Sequence, residues 1–262
     1  MYRYLFLIIL CLGGTAYAQT PDTLLIERMT SYEVRDAITA GKTTVIVPSG
    51  GSEQNGPGMV IGKHNFRVVA NGQTIARRLG NALVAPVIIF TPNGDIDPPT
   101  GHMRHPGTFS VPENVYAQVL EYVVRSLKQH GFRDIALIGD HGSDQKGQDA
   151  VAAKLNKEWA STNVRVHAIG SYYRGDPEGD AAEMMKRGIK KEEIGNHADV
   201  RDTSQMLAID PTMVRTGKLE AGNGKNGVEG DPRRASAQIG RVLVERTVTR
   251  ATEQIRKSIA AR

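Results

Sequence analysis

The stretch TTVIVPSGGSEQNGPGMVIGKHN, residues 43–65, opens as an unbroken apolar run and turns after Ser49 into a glycine-rich loop. A run of β-branched residues with no polar alternation reads as a strand buried on both faces, the mark of a parallel sheet. The loop behind it carries Glu53, Asn55 and His64: a carboxylate, an amide and an imidazole crowded where the strand ends. Working outward, further strands are read at NALVAPVIIF (81–90), DIALIGD (134–140) and NVRVHAIGSYY (163–173). Helical spacing recurs at 66–79, 112–130, 146–160 and 233–258. Strands alternating with helices predict an α/β fold, a mostly parallel sheet covered on both faces.

The chain begins MYRYLFLIILCLGGTAYAQT. A basic residue, a short apolar run and small residues ending in Ala16-Tyr17-Ala18 form the pattern of a secretory signal peptide, too short to span a bilayer. Residues 1–18 are therefore set apart as a leader, and residues 19–262 are read as one domain of a periplasmic or secreted protein. The single cysteine, Cys11, lies in the leader. The mature chain then has no disulfide to rely on and is stabilised by its core. A net charge of +5 invites a nucleic-acid reading, yet the basic residues are interleaved with acids, as in MKRGIKKEE (185–193). That is a solvated face and not a binding stripe, so neither nucleic acid nor, after cleavage, a membrane is expected as a partner.

Open α/β sheets bind ligands beyond the carboxyl ends of their strands. Glu53 follows the first strand, His102 the second and Asp140-His141 the third. A loop histidine alone is ordinarily just solvated; several polar groups at one sheet edge are a candidate site. Two connections, 91–111 and 174–230, exceed what a compact domain needs, and long connections tend to be functional.

Five motifs resemble those of the creatininase (creatinine amidohydrolase) family: GSEQNGPGMVIGKH (51–64), HMRHPGT (102–108), GDHGSDQ (139–145), HADVRDTS (197–204) and GVEGDPRRAS (227–236). The resemblance implies a three-layer α/β/α fold, hydrolysis of an amide in a small, often cyclic or amino-terminal substrate, and two divalent metals bridged by an aspartate. It also implies a homo-oligomer, commonly a hexamer.

Carried over by position, the family's glutamate is Glu53, its first histidine becomes Asn55, its bridging aspartate becomes His64, and its later histidine is His141. The acid of its fourth motif becomes Asp202. A neutral imidazole offers one lone pair to one metal, so His64 cannot bridge as a carboxylate does. What remains is Glu53, His64 and His141, a ligand set suited to one catalytic zinc per chain, with manganese an alternative. Asp202 is then the expected general base, with His102 or His197 stabilising the oxyanion or protonating the leaving nitrogen. Asn55, Ser143, Asp144 and Arg174 are expected to contact substrate, Arg174 suiting a carboxylate.

Creatinine itself is not expected as the substrate, because the tryptophans that creatinine-hydrolysing members of the family close over the ligand are missing: the one tryptophan, Trp159, falls in a predicted helix. The rival reading is a family member that has lost catalysis and serves as a binding or assembly protein. Export is tested by intact-mass measurement on protein from a secretion-competent host. The mass should correspond to a chain beginning near Gln19; soluble protein that retains residues 1–18 would contradict the leader.

Overall fold

The computed structural model describes residues 23–261, so the leader expected at 1–18 lies outside the described residues. Four parallel strands, β1 (Thr44–Ser49), β2 (Ala82–Val84), β3 (Asp134–Gly139) and β4 (Arg165–Ala168), form one sheet in the order β2-β1-β3-β4. Around it lie α1 (Ser31–Thr39), α2 (Lys63–Leu79), α3 (Glu113–Gln129), α4 (Asp144–Glu158), α5 (Pro177–Lys186), α6 (Val200–Ile209) and α7 (Ala237–Ala260).

Alternate strand residues face opposite layers, as the two-residue period of a strand requires. Val45, Val47, Ile135 and Leu137 pack with Tyr116, Leu120 and Val124 of α3 and with Val151 and Leu155 of α4. The residues between them, Ile46, Ala136 and Ile138, pack with Val68 and Ile75 of α2 and with Val248, Ala251 and Ile255 of α7. This is the three-layer α/β/α arrangement, with every residue of β1 and β3 buried.

Two predicted strands are shorter than the apolar runs suggested. The run 81–90 keeps a ladder only over Ala82–Val84; the chain leaves it at Pro86, and contact resumes as a single bridge from Ile88 to Ser49. The run 163–173 pairs only over Arg165–Ala168 before the chain turns at Gly170. Helix α1 was not anticipated, although Thr30 and Glu33 form a capping box at its start.

The connection 174–230 is no open loop, since it contains α5 and α6. Met184, Ile189 and Val200 bury against Ile239 and Leu243 of α7, and Ala198 and Met206 against Met59, Val214 and Val228. Helices α6 and α7 cross so closely that a Cβ on Gly240 would lie 1.8 Å from the Ser204 carbonyl oxygen. That contact seats the first turn of α6, and with it Asp202, over the sheet edge.

After β2 the chain crosses β1 to reach β3, so the direction of winding reverses at the carboxyl ends of β1 and β3. The loops leaving these two strands meet there: the Asp140 N–H donates to the Ser49 carbonyl at 3.0 Å. Such reversal points are where open α/β sheets form ligand crevices. No helix among the described residues is long and apolar enough to cross a membrane.

Candidate metal centre and active site

Glu53 is fully buried at the end of the β1 loop and is ringed by imidazoles. Its Oε1 lies 2.7 Å from His64 Nε2 and 3.4 Å from His197 Nδ1, and its Oε2 lies 2.9 Å from His141 Nε2 and 3.3 Å from His102 Nε2. The ligand atoms of Glu53, His64 and His141 fall within 4.8 Å of one another, and so do those of Glu53, His102 and His197. Although two ring nitrogens stand close, Oε2 accepts no hydrogen bond. A buried carboxylate oxygen without a donor is costly unless a cation satisfies it. Burial pushes the Glu53 carboxyl up, but the charges and contacts of His64 and His141 outweigh it and hold the group well below the usual carboxylate range.

Outer partners orient each of the four rings. His64 Nδ1 meets Asp140 Oδ1 at 2.6 Å and Nε2 meets Glu53 Oε1 at 2.7 Å; a carboxylate only accepts, so Nδ1 donates to Asp140 and Nε2 offers a lone pair when the ring is neutral. The Ser143 hydroxyl donates to the Pro92 carbonyl (2.5 Å) and lies 2.5 Å from His141 Nδ1, with the Ser143 N–H 3.3 Å from the same nitrogen, and this hold points Nε2 at Glu53. His197 Nε2 donates to the Gln54 carbonyl at 2.8 Å, which leaves its Nδ1 unprotonated. His102 is the opposite case. The Gln54 side-chain amide donates to the Gly227 carbonyl at 2.9 Å and approaches His102 Nδ1 at 3.1 Å as a donor. His102 thus carries its proton on Nε2 and presents an N–H donor.

Beneath the imidazoles lies a layer of buried ion pairs. Arg67 joins two carboxylates, Nε to Asp140 Oδ1 and Nη1 to Asp202 Oδ1, both at 2.8 Å. The Tyr172 hydroxyl donates to Asp140 Oδ2 at 2.6 Å, and Lys63 Nζ, fully buried, donates to Asp202 Oδ2 at 2.8 Å. Ala198, held at φ 52°, a conformation uncommon for a residue with a Cβ, turns its N–H onto the same Oδ2 at 3.0 Å. Burial alone would raise both aspartates, but Arg67 and His64 lower Asp140, and Lys63 and Arg67 hold Asp202 well below its ordinary value. A cavity of about 490 Å³ opens over this layer, walled in part by Lys63, His102, His141, Tyr173, His197 and Arg201.

Creatininase ("Creatinine amidohydrolase") matches residues 27–255 of this sequence, nearly the whole described chain. The chain belongs to the creatininase family. Family members are metal-dependent amidohydrolases, and this one is divergent. It is 24% identical over 206 residues to 3-dehydro-scyllo-inosose hydrolase of Thermotoga maritima, a match covering 75% of this chain and 59% of that protein. This chain thus spans about six-tenths of the length of that curated relative. It is also 24% identical over 242 residues to the mycofactocin precursor peptide peptidase of Mycolicibacterium smegmatis, covering 81% of this chain and 84% of the relative. A solved structure described as "Creatininase Mn" superposes with a TM-score of 0.73 at 21% identity, over 90% of this chain and 99% of that one.

Within this creatininase fold, Glu53, His64, His102, His141, His197 and Asp202 all reach one centre. Asp202, expected as general base, is poorly disposed to take a proton. Both its oxygens are hydrogen-bonded to buried cations, which stabilise its charged form. His197 is likewise no proton donor toward the cavity: its N–H is committed to Gln54, and burial together with Lys63 lowers its pKa to about 3.

Of the four expected substrate contacts only Arg174 lines the cavity, and it is paired with Asp149 at 3.0 Å. The Asn55 amide staples its own loop through the carbonyls of Glu53 and Val60, both at 2.9 Å, and Ser143 fixes His141. Asp144 is fully buried, accepts the His141 N–H at 3.3 Å, and is pushed well above the ordinary range by burial. Trp159 ends α4 within the core, with Arg125 and Lys128 of α3 over its ring.

Lys63, Arg67 and Gln54 were not singled out from the sequence, and Tyr172, read there only as a loop residue beside Tyr173 and Arg174, binds Asp140. The available signal was on α2, where Lys63, His64, Arg67 and Asn71 put buried polar groups on successive turns of one helix. The ion-pair layer makes a prediction that does not depend on metal. Arg67→Met strands Asp140 and Asp202 and should cost roughly 3–5 kcal/mol of stability in urea unfolding, whereas a loss under about 1 kcal/mol would contradict the bridging role.

Proposed function

We propose that this chain is an amidohydrolase that cleaves a C–N amide bond other than an ordinary peptide bond in a small substrate, using one divalent ion held by Glu53, His64 and His141. The observation that carries the reading is the donor set itself. The buried Glu53 carboxylate has one oxygen without a hydrogen bond, 2.9 Å from His141 Nε2, and His64 Nε2 stands 2.7 Å from the other, so that the three ligand atoms fall within 4.8 Å of one another. Two histidines and a glutamate suit zinc, and manganese is the alternative. When bound, such an ion supplies a Lewis acid that polarises a carbonyl and acidifies water.

The chain's own groups then divide the remaining work. The Nε2 hydrogen of His102 is a donor for the carbonyl oxygen as it gains charge. The unprotonated Nδ1 of His197, in the cavity wall, can accept a hydrogen bond from the substrate, but a pKa lowered to about 3 leaves it no better as a proton acceptor than Asp202. Arg201 donates to the Gly195 carbonyl at 2.7 Å and stands 3.8 Å from Asp199, so of the cavity arginines it is the least committed to carboxylates. It replaces Arg174 as the partner for an acidic group on the substrate. Creatinine does not suit a cavity whose wall contains no tryptophan.

A second reading has one observation behind it. His64 contacts a carboxylate on each side, Asp140 at 2.6 Å and Glu53 at 2.7 Å, and as an imidazolium it would satisfy both without an ion, as a non-catalytic binding protein would allow.

Metal analysis of dialysed protein and turnover of a panel of cyclic amides, amino-terminal amides and carboxylated lactams separate the two readings. The hydrolase reading expects about one retained ion per chain. Glu53→Gln and His141→Ala should lose ion and turnover together. His197→Gln should keep the ion while turnover falls roughly tenfold, the loss of one hydrogen bond to the substrate. Protein that retains no ion and cleaves nothing in the panel when zinc or manganese is added would establish the binding-protein reading instead.

A further inference from the structure

Lys63 is the group whose placement the proposed chemistry leaves unexplained. It is the first residue of α2, where the helix dipole already presents positive charge, and its ammonium has no exposure to solvent. Nothing about folding a helix favours a buried lysine there. Its surroundings do: Nζ lies 2.8 Å from Asp202 Oδ2 and 3.6 Å from Glu53 Oε1, between the two carboxylates at the edge of the cavity.

Charge at the centre is nearly balanced before any ion enters. Glu53, Asp140 and Asp202 bring three negative charges, and Lys63 and Arg67 return two positive ones. One divalent ion on Glu53 would carry the cluster to a single net positive charge. A second ion would have to share Glu53, the one carboxylate common to both candidate ligand sets, and Lys63 Nζ already stands 3.6 Å from its Oε1 while bonded to Asp202 Oδ2.

We propose that Lys63 is a built-in cation occupying the place of a second divalent ion, and that it sets the capacity of the site at one. The inference rests on the single-ion reading above and says why the number is one. It differs from the earlier argument about His64, which concerned ligand type: here it is a charge already present, bonded to Asp202 and facing Glu53, that keeps a second ion out. Because this cation belongs to the chain, it stays in place when dialysis or a chelator removes the exchangeable ion.

The test is a titration of metal-stripped protein with Mn²⁺, followed by electron paramagnetic resonance and by metal analysis after gel filtration. Unmodified protein should saturate at one ion with an uncoupled spectrum. Lys63→Ala and Lys63→Ser open the space and remove the charge, so they should take up two ions with the spectrum of an exchange-coupled pair. Lys63→Met fills the space without the charge; it should stay at one ion and bind it at least about tenfold more tightly, since the nearby positive charge is gone. Lys63→Met keeps the inference open to refutation should the smaller side chains not fold. One ion at unchanged affinity in every folded variant overturns the role of Lys63 and leaves the single-ion reading standing. Two ions, or none, in unmodified protein overturn the single-ion reading itself, and this inference with it.

Discussion

Three carboxylates buried at the carboxyl ends of parallel strands are the constraint around which this molecule is organised. Glu53, Asp140 and Asp202 come from three separate parts of the chain, and none has the water that would ordinarily solvate its charge. Each must meet a cation or a donor inside the protein. Arg67 joins Asp140 to Asp202, Lys63 takes the other oxygen of Asp202, and Tyr172 the other oxygen of Asp140. Glu53 is left for the histidines, with one oxygen that nothing hydrogen-bonds. The electropositive need of the site is thus met everywhere except where an ion would bind.

The packing of the domain serves this arrangement. Helix α2 buries Val68 and Ile75 against the sheet while turning Lys63, His64 and Arg67 of its first two turns toward the strand ends. Helix α6 brings Asp202 from the far side, held by its crossing at Gly240 of α7. The two helices therefore meet through ion pairs over the sheet edge, not through apolar contact alone. Outer-layer residues then orient each imidazole: Asp140 and Ser143 turn Nε2 of His64 and His141 inward, while Gln54 gives His102 an inward N–H and His197 an inward lone pair.

Much of this was legible in the sequence because it depends on local pattern. The uninterrupted apolar run at 43–49 marked a doubly buried strand, and the rule that ligands gather at strand ends brought Glu53, His102 and His141 to one place. The parts that were missed depend on partners distant along the chain. Lys63 sits beside His64 and Arg67 three residues further on, but what makes them matter is Asp202, more than 130 residues away. The same distance hid the fault in assigning Asp202 as a base: a carboxylate looks basic until its counter-ions are known. The strand at 81–90 ended sooner than hydrophobicity alone suggested, and the connection 174–230 concealed two helices whose apolar faces are small and pack mainly on α7.

The central claim is that the centre is built for one ion, on Glu53, His64 and His141. Anomalous diffraction from crystals of the unmodified protein grown with zinc tests it most directly. The account predicts one peak per chain, within bonding distance of Glu53 and of Nε2 of both His64 and His141, with Lys63 still paired to Asp202. A second peak between Glu53 and Asp202, or no peak with His64 still spanning Asp140 and Glu53, would contradict it.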